Sequence, residues 1–143
     1  MSSKRVVPVH LHWRYIALVF VGGMLGTAAR YLVAAAIPTV AGLPVGTFCI
    51  NVVGAFVLGM LLETLALRGS DTGMRRNVRL FAGTGILGGF TTYSAFAVDA
   101  DGLILAQNLG GSILYAIATI VVGALASVAG IALAARIGRM AVR

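Results

Sequence analysis

Four stretches of this sequence are each apolar enough and long enough to cross a bilayer, and no other feature narrows the possible folds as much. A spanning helix needs about 20 predominantly apolar residues, and residues 15–37, 47–67, 78–105 and 112–135 meet that test. In hydrocarbon every backbone amide must be satisfied within the protein, which leaves helices or a closed barrel. Continuous apolar runs without strand-like alternation select helices, so the sequence predicts an all-α membrane protein with four transmembrane helices in a single domain. Composition agrees, with 59% hydrophobic and 10% charged residues against about 25% charged in a soluble domain. The N-terminus is basic and then apolar, like a signal peptide. Its apolar run continues past Val33 without a convincing small-residue cleavage site, so a retained first span is expected.

The third stretch is too long. As one helix, residues 78–105 would run about 42 Å at about 1.5 Å per residue, against a hydrocarbon core about 30 Å thick. Within it lies GTGILGGFTTYSAF, residues 83–96. Gly88-Gly89 and Thr91-Thr92 combine poor helix propensity with a tendency toward local backbone hydrogen bonding. A break at 88–91 is expected, near the centre of the span, leaving half-helices of about 78–87 and 92–105. Irregular backbone at membrane depth must be buried in protein or line a polar cavity, so the break implies a site. Gly22, Gly26, Gly54, Gly59 and Gly123, taken singly, read as close-packing positions between helices.

The net charge of +7 does not indicate nucleic acid, because the basic residues flank apolar segments and form no patch interleaved with aromatics. They sort by side. Lys4, Arg5, Arg14, Arg68, Arg75, Arg76, Arg79, Arg136, Arg139 and Arg143 all fall on one face of a four-span topology, and the two opposite loops hold none. The positive-inside rule then sets both termini in the cytoplasm of a multi-pass protein of the plasma (inner) membrane. Trp13 and Tyr15 fall at the interface, with His10 and His12 at headgroup level. The lone Cys49 has no intrachain partner and reads as a packing residue.

Few polar side chains remain inside the spans: Arg30, Thr47, Asn51, Thr91, Thr92, Tyr93, Ser94, Thr119 and, near an end, Asp99. Each is costly unless it faces a partner or water. Thr47 and Asn51 share a helix face by their spacing, as do Tyr115 and Thr119, and Tyr93 and Phe96. Hydroxyl and amide donors, ring edges and one arginine suit a small anion. The carbonyls exposed at a break suit a hard cation. No Ser/His/Asp, Cys/His or paired-carboxylate arrangement can be assembled, so an enzyme is not expected.

GGMLGTAARY (22–31), GTFCINVVGAF (46–56) and the 83–96 motif resemble, in order and spacing, the signatures of the fluoride channel family called Fluc or CrcB. The resemblance covers essentially the whole chain. It implies a fluoride-selective channel giving passive efflux through two pores at the interface of an antiparallel, dual-topology-type dimer. It implies a structural sodium ion at the dimer axis, held by the backbone carbonyls of Gly88 and Thr91. It also implies a fluoride path lined by Tyr93 and Phe96, with Asn51 as the pore amide, Ser94 and Thr119 as a polar track, Thr47 one turn from Asn51, and Arg30 near a vestibule. Asp99 matches an acidic position near the pore. Two positions depart from the pattern: Tyr93 stands where the family usually has Phe, and Ala95 where it has Ser or Thr. Ten basic residues against none is a strong bias for a chain that would have to insert both ways. A homologous subunit of opposite orientation is therefore the expected partner. The rival reading is a proton-coupled exporter of lipophilic cations like the small multidrug resistance transporters, which needs a membrane-buried carboxylate that the first span lacks.

Overall fold

The computed structural model describes residues 12–141; Lys4, Arg5, His10 and Arg143, on which part of the orientation argument rests, lie outside that range. The described residues form α1 (Trp13–Ala36), α2 (Val45–Leu67), α3 (Gly73–Val78), a π-helical segment (Arg79–Leu87), α4 (Gly88–Phe90), α5 (Tyr93–Leu105) and α6 (Leu109–Ala141). The fold is all-helical. Trp13–Ala36, Val45–Leu67 and Leu109–Met140 are long and apolar enough to cross a membrane. The stretch 78–105 is divided among several elements, with extended backbone at Thr91 (φ −73°, ψ 155°) and Thr92 (φ −150°, ψ 124°). Helical bonding persists through the glycine pair, so the extended residues come slightly later than their composition suggests.

Local chemistry sets the ends. Ile37 precedes Pro38 and takes extended backbone, φ −104° and ψ 110°, because the proline ring disfavours a helical residue before it. α6 starts after Asn108, whose Oδ1 accepts the Gly111 N–H at 2.9 Å as an N-cap does. The helix outlasts the expected apolar stretch by one to two turns and carries Arg136 and Arg139 on its end, where long cationic side chains can reach headgroups. In the loop between α2 and α3, Asp71 is gripped by Arg79 of the π-helical segment with two bonds, 3.0 and 2.8 Å. Those bonds hold the exposed Asp71 carboxyl below the usual carboxylate range. Because the shift is downward, the clasp is complete above that range and is lost as pH falls through the lowered value.

Helices in lipid associate through close packing rather than apolar burial, and small residues allow the approach. α1 lies against the π-helical segment and α4: a methyl at Gly22 would overlap the Phe81 carbonyl oxygen, and one at Gly26 the Ile86 carbonyl. Gly59 meets the Ser127 backbone of α6, and Gly54 seats the Thr91 methyl. Gly123 faces open space within this chain.

Candidate functional site

The interruption after Phe90 is where the helices converge. Thr91 still donates its N–H to the Leu87 carbonyl, 2.9 Å. The next residue does not continue the ladder. In an unbroken helix the Thr92 N–H would go to Gly88; it goes instead to Asn51 Oδ1, 2.8 Å, while Asn51 Nδ2 donates to the Thr92 carbonyl at 3.0 Å. The side-chain amide thus pairs with the Thr92 peptide as a second peptide would. Thr92 also opens α5, its Oγ1 accepting the Ala95 N–H at 3.1 Å, the N-cap role suited to threonine.

A cleft of about 410 Å³ lies beside this pairing, lined by Asn51, Gly88, Thr91, Thr92, Tyr93, Phe96, Thr119 and Ile120. Six of the site residues expected from the sequence therefore share one cleft: Asn51, Gly88, Thr91, Tyr93, Phe96 and Thr119. The Tyr93 and Phe96 rings are 6.0 Å apart and tilted by 42°. Tyr93 is 81% exposed, so the cleft opens outward beside it. Thr119 is buried and donates to the Tyr115 carbonyl at 2.7 Å, which leaves its oxygen as an acceptor. Asn51 has one further Nδ2 proton after its bond to Thr92.

Three residues lie off the cleft. Ser94 is exposed, its hydroxyl 3.2 Å from Thr92 Oγ1. Thr47 is half-buried on α2, one turn before Asn51. Arg30 reaches the interruption from α1, donating through Nε to the Gly89 carbonyl at 3.2 Å, which Thr27 Oγ1 also approaches at 3.5 Å. Two participants escaped the sequence reading as site residues. Tyr115 is buried with its ring 5.4 Å from Phe96 and its hydroxyl 3.5 Å from Asp99 Oδ2; its spacing with Thr119 was the available signal. Thr92 counts in the sequence as a helix-weakening residue and a polar group in need of a partner, and a threonine just before an apolar helical run is also a capping signal.

Among the described residues no three His, Cys, Asp or Glu side chains come together as a metal site. Backbone carbonyl oxygen is another ligand class that hard cations use. The Gly88 carbonyl has lost its helical donor to Asn51, and a Cβ at Gly88 would have only the Gly83 oxygen nearby, at 4.0 Å. That open, underused carbonyl fits a small hard cation.

Residues 17–131 match the family described as CrcB-like protein, Camphor Resistance (CrcB). The chain is 71% identical over 138 residues to a protein of Leifsonia xyli subsp. xyli named fluoride-specific ion channel FluC 2, covering 96% of this chain and 95% of that one. It is 50% identical over 111 residues to fluoride-specific ion channel FluC 1 of Cutibacterium acnes, covering 77% and 78%. It is 44% identical over 120 residues to fluoride-specific ion channel FluC of Agrobacterium fabrum, covering 82% and 94%. With the matched span containing the interruption, the Asn51 clamp and the cleft, the chain belongs to the CrcB family.

Proposed function

We propose that this chain is a fluoride-selective channel that lets fluoride leave the cell down its gradient. The observation that carries the reading is the cleft at the interrupted segment, ringed by an amide, hydroxyls and two aromatic rings, in a chain 71% identical to a named fluoride channel. Fluoride holds its water strongly, so a pore must replace that water with donors. Asn51 offers its second N–H, the paired Thr92 and Ser94 hydroxyls keep one proton between them to donate, and Tyr93 and Phe96 present ring edges carrying the positive part of the quadrupole. The Tyr93 ring lies at the cleft's open side, which supports completion of the path by a second subunit. Arg30 lies behind the lining, on the Gly89 carbonyl, and Thr47 sits one turn before Asn51 on α2.

In this reading the membrane unit has four spans, the third interrupted, and two subunits pair antiparallel in the plasma membrane. Gly88 and Thr91 would hold a structural sodium ion with their carbonyls. Bound there, the ion supplies positive charge that offsets oxygens deprived of helical donors, and it does not need to move. Fluoride efflux from vesicles that is electrogenic and indifferent to an imposed proton gradient supports a channel. Efflux that follows the proton gradient supports an exporter, for which neither the relatives' names nor the cleft gives support.

The charge bias bears on the partner. Arg14, Arg68, Arg75, Arg76, Arg79, Arg136 and Arg139 all belong to one side of the four-span reading. A chain so biased inserts with its N-terminus inside, and its antiparallel partner is a homologue of opposite orientation. A tag at the C-terminus is then labelled from the cytoplasmic face alone. Comparable labelling from both faces contradicts the fixed orientation.

A further inference from the structure

The carbonyls around the interruption are not equally free, and side chains of Thr91 itself and of α1 and α2 account for the difference. Thr91 Oγ1 donates to the Leu87 carbonyl at 2.8 Å, Arg30 Nε and Thr27 Oγ1 point at Gly89, and Asn51 Nδ2 holds Thr92. Among the described residues no side-chain donor reaches the carbonyls of Gly88, Phe90 or Thr91. Gly88 and Thr91 have further lost the helical donors that would have closed on them, because the Thr92 N–H goes to Asn51 and the Ala95 N–H to Thr92 Oγ1. The exposed oxygens are therefore chosen by what has been done to their neighbours.

We infer that Arg30 and Asn51 are a pair of positioning residues, one from α1 and one from α2, that brace the interrupted backbone and leave the Gly88 and Thr91 carbonyls available to a cation. This deepens the channel reading and rests on it for the cation. In the sequence both residues counted as groups facing the anion. The geometry gives Arg30 a directional bond through Nε, which a lysine cannot reproduce: its ammonium keeps the charge but has no planar donor fixed behind it. Asn51 performs a two-bond pairing that needs a donor and an acceptor on one planar group, and alanine supplies neither.

The test uses the purified full chain in its paired, membrane-reconstituted form. Thermal unfolding is followed across sodium concentration, with N-methylglucamine replacing sodium, and amide exchange is followed at residues 91–95. Losing one such bond is worth ~1 kcal/mol, so Arg30→Lys and Asn51→Ala each raise the half-saturating sodium concentration by ~5-fold or more. Asn51→Ala also speeds exchange of the Thr92 amide by a similar factor. If Arg30→Lys keeps the wild-type sodium response while Arg30→Gln loses it, Arg30 acts by charge and the brace is overturned. Unchanged Thr92 exchange in Asn51→Ala overturns it for Asn51. Should Asn51→Ala fail to fold, Arg30→Lys and the milder Thr27→Val carry the sodium comparison: a weakened response supports the brace, and a wild-type response in both overturns it. A wild-type protein indifferent to sodium refutes the cation reading, while the exchange measurement still decides the brace.

Discussion

Gly26→Val removes folded protein from the membrane extract, or lowers its unfolding temperature sharply, while Gly123→Ala leaves the fold of the single chain intact. The difference comes from what a side chain would meet. At Gly26 the first added carbon would overlap the Ile86 carbonyl oxygen and crowd the Phe90 nitrogen, both backbone atoms that cannot rotate away. Around Gly123 a Cβ would have nothing within 4 Å. Forcing extra carbons into a packed contact typically costs about 1–3 kcal/mol, and valine at an interface built on backbone approach falls at or above the upper end. Because Ile86 and Phe90 lead into the interruption, the strain also falls on the turn that aims the Gly88 carbonyl. Thermal unfolding and size-exclusion profiles of the two variants check this, and equal stability would contradict the packing described for α1.

Phe96→Ile lowers fluoride efflux by at least about tenfold, equivalent to about 1.4 kcal/mol on the barrier, with the proposed dimer retained. Isoleucine keeps the apolar bulk and loses the ring edge. Phe96 is 6.0 Å from the Tyr93 ring and 5.4 Å from the Tyr115 ring. Such pairs contribute about 0.5–1.5 kcal/mol each, so stability falls measurably without collapse. The two readouts separate the roles: a residue that only packs would change stability and efflux together. Efflux rates compared with cross-linked dimer yield decide it, and a wild-type rate in Phe96→Ile removes the rings from the path.

Much of this arrangement was legible because a bilayer leaves a chain few options. Pro38 marked the end of α1, and the glycine and threonine pairs marked a weak point in the third stretch. Finer features were not legible, for physical reasons. α1 and α2 are apolar nearly all round, so periodicity could not say which face meets which neighbour. The π-helical winding over Arg79–Leu87 leaves no compositional trace that distinguishes it from an α-helix. The glycine pair stays helical because Gly89 is held against Gly23 of α1, a tertiary contact that overrides local propensity. Asn51 was recognisable as a costly polar residue at membrane depth, yet its pairing with the Thr92 peptide spans 41 positions and no local pattern encodes it. Tyr115 read as one half of a hydroxyl-bearing face, whereas its ring closes an aromatic cluster with Phe96.

Whether the interrupted third stretch forms a fluoride path is decided in vesicles loaded with equal fluoride and chloride. The vesicles carry this chain alone, or this chain with a homologue of opposite charge bias, and are followed with ion-selective electrodes. Rapid fluoride loss with chloride retained is expected, strongest when both subunits are present. Retention of both halides in the paired vesicles, or loss of both at similar rates, would contradict such a path.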